Sequence, residues 1–180
     1  VSGIRIIQRG LYFDELEEGA TYVHSPGRTV TEADNVLFTT LTMNTQSLHL
    51  DAAWSASTEF GERLVNSMFT LSTMVGLSVA QLTQGTIVAN LGFSDVRFPA
   101  PVRVGDTLYA ATLIAGKRLS TSRPGQGIVE FAHTMRNQNG VVVAEARRST
   151  LMLVSPASAS GPATAPGPDP VPDRNPEEEP

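Results

Sequence analysis

Asn66-Ser67-Met68-Phe69-Thr70-Leu71-Ser72-Thr73-Met74-Val75-Gly76-Leu77-Ser78-Val79-Ala80-Gln81-Leu82-Thr83-Gln84 runs without a single charged side chain. Within it Met68, Leu71, Val75, Val79 and Leu82 recur at helical spacing, and Phe69, Met74 and Leu77 widen the stripe. A helix that is apolar nearly all round is expected to be buried on most of its sides. Gly76 in its interior costs about 1 kcal/mol relative to alanine, so close packing of the helix against a sheet is the expected reason for it.

Beyond Gly85 the period changes from helical to alternating. Ile87, Leu91 and Phe93 share one parity and Val96 and Phe98 the other, a switch that predicts a bulge or bend in one strand. Phe98-Pro99-Ala100-Pro101-Val102 reads as an extended link and Val104-Gly105-Asp106-Thr107 as a turn. Further strands are expected over 108–115, 128–135 and 141–154, the last two joined by the turn Asn137-Gln138-Asn139-Gly140. Upstream, a strand over 21–30 is interrupted at Ser25-Pro26-Gly27. Thr31 can cap a helix whose first turn carries Glu32 and Asp34, running to about 41 or 42. A loop follows over 43–50, and Asp51 can cap a short helix over 52–57 that carries Trp54. One long buried helix followed by a four-strand antiparallel meander predicts an α+β domain.

Composition narrows the functional classes. The 180 residues are 41% hydrophobic and 17% charged, with a formal net charge of -5 that disfavours a general nucleic-acid-binding surface. There is no cysteine, which excludes disulfides, thiolate nucleophiles and cysteine-ligated metal. His24, His49 and His133 show no ligand spacing, so no metal site is expected, and no phosphate loop or dinucleotide fingerprint appears. No apolar run is long enough to span a bilayer, and a cytoplasmic location is the default expectation. Between Ser155 and Pro180 lie eight of the twelve prolines, five acids and Arg174. Such a stretch buries too little apolar surface to offset its ordering entropy, so the expected division is a domain over 1–154 and a disordered acidic tail over 155–180.

The stretch Asn44-Thr45-Gln46-Ser47-Leu48-His49-Leu50-Asp51 resembles the signature loop of the MaoC-like (R)-specific enoyl-CoA hydratases, which typically reads Asp-x-Asn-Pro-Leu-His-x-Asp. Phe60-Gly61 falls in register, as does Val65-Asn66-Ser67-Met68, where relatives carry Val-His-Gly-Met. Phe98 to Leu108 is similar to the family's Phe-x-x-Pro-Val-x-x-Gly-Asp-x-Leu. The resemblance spans about 31–153 and implies a hot-dog fold, in which a curved antiparallel sheet wraps a central helix. Thr31-Glu32-Ala33-Asp34-Asn35, with Asn44 and His49, is similar to a branch that includes the mesaconyl-CoA hydratases (β-methylmalyl-CoA dehydratases).

The resemblance implies reversible hydration of an α,β-unsaturated acyl thioester, with no cofactor beyond the coenzyme A that carries the substrate. His49 matches the catalytic histidine, and an imidazole is suited to moving protons near neutral pH. Asn44 stands at the family's catalytic aspartate, Gln46 at its asparagine and Ser47 at its proline. An amide cannot titrate, so Asn44 is expected to orient water or thioester, with His49 working alone or with Glu32 or Asp34. Ser67 matches the oxyanion position at the helix start, where a backbone N–H suffices; Asn66 and Gln46 are candidate substrate-binding neighbours. His24 and His133 are expected to be structural, and Arg147 and Arg148 to lie on a solvated face. Lys117, Arg118 and Arg123 are candidates to meet coenzyme phosphates. Three other functions compete: a hot-dog thioesterase, a non-catalytic subunit supporting an active partner, and a binding module whose acidic tail recruits another protein. A homodimer joined at sheet edges is the expected assembly, with no nucleic-acid or membrane partner.

Overall fold

The computed structural model describes residues 4 and 6–158. Strands β1 (Thr21–Val23) and β2 (Arg28–Thr29) lie on either side of Ser25-Pro26-Gly27, and both pair with β4 (Thr107–Leu119). The interrupted strand is therefore real, and a side chain on Gly27 would strike the Tyr109 ring. Helix α1 (Glu32–Leu41) opens on a reciprocal cap: the Thr31 hydroxyl accepts from Asp34 N–H at 3.2 Å, and Asp34 accepts from Thr31 N–H at 2.9 Å. The Thr31 hydroxyl, which donates to Asp34 Oδ2 at 2.7 Å, and then the Thr31 N–H, with Arg28 beside them, hold the Asp34 carboxyl below its ordinary pKa.

The stretch read as a loop over 43–50 contains a single helical turn, α2 (Ser47–Leu50), which carries His49. Helix α3 (Ala52–Ala56) follows at once, its first turn closed by Asp51, which accepts from Trp54 N–H at 2.9 Å. The apolar segment forms α4 (Ser67–Ser78) and continues through a π-helical turn, Val79–Thr83.

The remaining strands are β3 (Ile87–Arg97), β5 (Gln126–Arg136) and β6 (Val142–Leu153). Strand order in the open antiparallel sheet is β1-β4-β5-β6-β3. The expected four-strand meander is thus corrected: β4, β5 and β6 form one, but β3 crosses to the far edge and pairs with β6. The crossover carries Phe98 to Asp106 past the start of α4, where Val65 N–H donates to Val102 C=O at 2.9 Å. The parity switch in β3 coincides with register shifts, the last between Ser94 and Arg97, where Asp95 has φ 52. Asn137 closes the β5–β6 turn by accepting from Asn139 and Val141 N–H.

Helix α4 packs on β4, β5 and β6. Met74 is fully buried among Val30, Val65, Val102, Leu108, Met135 and Val143, while Leu82 joins a second cluster with Leu16, Ile114, Val129, Phe131 and Met152. Burial of the helix is narrower than its composition suggested. Thr70, Met74 and Ser78 form the sealed line, Leu71, Val75 and Leu77 are half-buried, and Met68 is 48% exposed. A single sheet covers only one flank of a helix, and the other flanks remain open in the protomer. Gly76 lies on that open side, with nothing within 4 Å of a Cβ built on it, so the expected packing against the sheet is not its reason.

Ser155, placed at the head of the expected tail, is buried. It bonds Asp14 through its N–H at 2.7 Å and its hydroxyl at 2.9 Å, and Ser158 reaches the same carboxylate at 2.7 Å. Burial alone would raise the Asp14 pKa, but these bonds outweigh it and hold the group at about 2. The rest of the expected tail, from 159 onward, lies outside the described residues. Among the described residues no helix is long and apolar enough to cross a membrane, and no cluster of His, Cys, Asp or Glu is arranged to hold a metal ion.

Candidate active site

His49 sits on the single turn of α2, half-buried, with its ring fixed by a 2.9 Å hydrogen bond between Nδ1 and the carbonyl of Leu64. A carbonyl oxygen only accepts, so Nδ1 carries the proton in this bond. The neutral ring therefore keeps its lone pair on Nε2. Leu64 precedes α4 and is held to the crossover by an isolated bridge to Arg103, and its N–H donates to Leu48 C=O at 3.0 Å.

The imidazole lines a cavity of about 240 Å³ together with Ser67, the first residue of α4. Thr70 adds a hydroxyl side chain. The remaining walls are apolar, supplied by Leu48, Phe60, Leu64 and Val65, by the crossover from Phe98 to Val102, and by Val143. Among the described residues the N–H of Ser67 has no acceptor, as expected of the first amide of a helix. The positive end of the helix dipole thus meets an apolar chamber that also holds an oriented imidazole, an arrangement suited to stabilising negative charge as it develops.

The other sequence candidates fall elsewhere. Asn66 caps α4: its Oδ1 accepts from Met68 N–H at 2.9 Å and its Nδ2 donates to Thr39 Oγ1 at 3.3 Å. Both ends of the amide are engaged in the fold, and the residue is 3% exposed. Asn44 accepts from Gln46 N–H at 3.0 Å, closing the turn that starts α2, and neither Asn44 nor Gln46 contributes to the cavity wall. Nearby acids are engaged as well: Glu32 with Arg63, Glu62 with Arg103, Asp34 with Thr31 and Arg28, and Asp51 with Trp54 N–H.

Sequence reasoning did not single out the residue that joins these parts. Asn35, on the buried face of α1 and 1% exposed, donates to the carbonyls of His49 at 3.2 Å and Leu64 at 3.3 Å. Its Oδ1 accepts from Asn66 N–H at 2.9 Å. Thr39, one helical turn later, receives the Asn66 side chain. The signal available in sequence was an amide and a hydroxyl at i,i+4 on one helix face, a spacing that makes them neighbours.

Away from the cavity, a polar chain runs from exposed Gln81 through buried His24 and Thr112 to His133, with links of 2.8, 2.7 and 2.8 Å. Burial, and after it the charge of Arg148, pushes the His133 pKa down to about 3, and burial lowers that of His24. Arg148 corrects an expectation: it is not solvated but 6% exposed, with Nε donating to Asn90 Oδ1 at 3.1 Å. Its neighbour Arg147 is exposed, 3.7 Å from Asp95. Lys117 donates to the carbonyls of Phe13 and Leu16, which engages it in the fold.

Residues 15–136 match the family model described as MaoC like domain. The chain is 38% identical over 112 residues to Protein MaoC of Klebsiella aerogenes, covering 62% of this chain and 33% of that one. It is 30% identical over 154 residues to the beta-methylmalyl-CoA dehydratase of Chloroflexus aurantiacus, covering 85% of this chain and 43% of the other. The chain thus spans less than half the length of either relative. A solved Mycobacterium tuberculosis protein described as having a double hotdog fold superposes with a TM-score of 0.75 at 27% identity. That match covers 89% of this chain and 48% of that one. The α+β hot-dog architecture expected from the sequence is therefore the one found.

Proposed function

Because the chain belongs to the MaoC-like domain family, we propose that it catalyses the reversible hydration of an α,β-unsaturated acyl-CoA, acting as a hydro-lyase. The observation that carries this reading is the oriented imidazole of His49 sharing one apolar cavity with the first residue of α4. Water loses a proton to His49 Nε2 as its oxygen bonds to Cβ. The displaced electron pair moves through Cα onto the thioester oxygen, where the Ser67 N–H receives the developing charge. The imidazolium then returns its proton to Cα, and dehydration runs the same steps backwards. Glu32 and Asp34 are already engaged, with Arg63 and with Thr31, which favours His49 acting alone as the acid–base group over a site with an added carboxylate from either of them. Asn44 contributes by closing the turn that presents α2.

The acyl group sits among apolar walls, and coenzyme A serves as the carrier, with no further cofactor. A branched dicarboxylic group such as mesaconyl is the finer proposal, supported by the name of the Chloroflexus relative. A second copy is proposed to join at β3, an edge strand of 11 residues with Val88, Leu91, Phe93 and Val96 exposed. Pairing would cover both that edge and the open flanks of α4.

The test is a substrate screen with crotonyl-CoA, mesaconyl-CoA and longer enoyl-CoAs. Loss of the conjugated thioester absorbance is followed beside release of free thiol. Hydration without thiol release is the expected result. Thiol release would indicate a thioesterase, and inertness of the purified protein would indicate a supporting subunit.

A further inference from the structure

We propose that Asn35 is the positioning residue of this site, a single buried amide that sets the acid–base imidazole against the mouth of α4. The inference rests on the reading of His49 as the acid–base group. Three separate segments meet on the Asn35 side chain. Nδ2 donates to the carbonyl of His49 itself, at 3.2 Å, and to the carbonyl of Leu64, at 3.3 Å. Oδ1 accepts from the N–H of Asn66, the cap of α4, at 2.9 Å. The Leu64 carbonyl also accepts from His49 Nδ1 at 2.9 Å. Both lone pairs of that carbonyl are therefore in use, one for the ring and one for the amide. The group that orients the imidazole is thus itself held by Asn35, which also holds the backbone of His49 and the start of the helix whose first residue lines the cavity.

Residue chemistry narrows the choice at this position. Two donors and one acceptor must leave a short, planar group reaching three backbone atoms. Aspartate supplies acceptors only, leucine supplies neither, and glutamine is one methylene longer. Asparagine is a poor helix former beyond the cap, and buried amides require partners, so Asn35, the fourth residue of α1 at 1% exposure, fits a tertiary role. Removing it would leave the Leu64 carbonyl bonded to the ring alone and release the His49 backbone. Misplacement of a reacting group by about 1 Å costs on the order of 100-fold in rate.

The test compares wild type, Asn35→Asp, Asn35→Ala, His49→Ala and the double variant Asn35→Asp/His49→Ala. Two readouts are used: steady-state hydration, and the nitrogen-bound ring proton of His49 by NMR. Asn35→Asp keeps the acceptor for Asn66 and loses both donors. Its kcat is expected to fall roughly 10- to 100-fold with KM little changed. In the His49→Ala background the same substitution should cost almost nothing, because it acts through the missing ring. The His49 Nδ1 proton should be protected from exchange in wild type and exchange faster in both Asn35 variants, whose Leu64 carbonyl is no longer held in place. Asn35→Ala serves if the buried carboxylate prevents folding. The proposal is overturned by losses that multiply independently, by a folded Asn35 variant with unchanged kcat, or by a ring proton indifferent to Asn35. An Nδ1 proton or Asn66 N–H that exchanges freely in wild type would also overturn it. The NMR arm needs no activity, so failure of the positioning role and failure of the hydratase reading give different results.

Discussion

Replacing Asn66 with alanine separates a capping role from a substrate-binding one. The substitution removes the acceptor for Met68 N–H, a helix cap contributing about 1 kcal/mol. It also removes the donor to Thr39 Oγ1, a net contribution of about 1 kcal/mol, and leaves that buried hydroxyl without its partner. The backbone N–H of Asn66 still donates to Asn35, so the join between α1 and α4 survives. The expected loss is therefore roughly 2 kcal/mol, which in a domain of this size lowers Tm by about 4–8 °C. Thermal unfolding by circular dichroism measures it, with hydration kinetics recorded well below the transition. kcat/KM for the folded variant should stay within about threefold of wild type, a difference under 1 kcal/mol. Asn66→Ser keeps a capping oxygen and should recover much of the stability. An unchanged Tm with activity lost in both variants would refute the reasoning and make the Asn66 side chain a ligand of the substrate.

Two further outcomes concern the buried groups His133 and Arg148. His133 has a folded pKa of about 3 against about 6.5 unfolded, so the unfolded state takes up the proton first on acidification. Its contribution is fully present above pH ~6.5 and declines by about 1.4 kcal/mol per pH unit down to pH ~3. Denaturant titrations across that window should show a shallower fall in His133→Asn than in wild type, with His133 accounting for the difference; equal slopes would contradict it. Arg148→Met removes a buried guanidinium that has no carboxylate partner among the described residues and keeps similar bulk. It should leave stability unchanged or raise it by about 1–4 kcal/mol. A fall in Tm would contradict that and show that the contacts with Asn90 and Phe93 outweigh the burial of the charge.

Local physics was readable wherever side chains act on their near neighbours. The Thr31 and Asp51 caps, the Asn137–Gly140 turn and the bulged register of β3 all follow from short-range patterns. The partner of β3 did not, because alternation fixes a strand's faces but carries no information on which strand lies beside it. The one-turn helix around His49 is too short to leave a periodic signal. At the candidate site the family motif pointed to His49 and Ser67, which share one cavity, and to Asn44, Asn66 and Gln46, which are not in its wall. In the fold Asn44 and Asn66 hold local backbone, and Gln46 is exposed at the start of α2. Asn35 escaped notice because its partners are backbone groups of His49, Leu64 and Asn66, and its i,i+4 spacing with Thr39 marks a shared helix face without naming them. Arg148 was misplaced because strand parity says only that one of Arg147 and Arg148 points inward.

The most direct measurement is kcat/KM for hydration of crotonyl-CoA by wild type and His49→Ala, each purified and verified as folded. If the imidazole in the cavity at the mouth of α4 moves the protons, the variant loses at least ~100-fold. Turnover by His49→Ala within a few-fold of wild type would contradict the account, leaving the hot-dog architecture without the chemistry assigned to it.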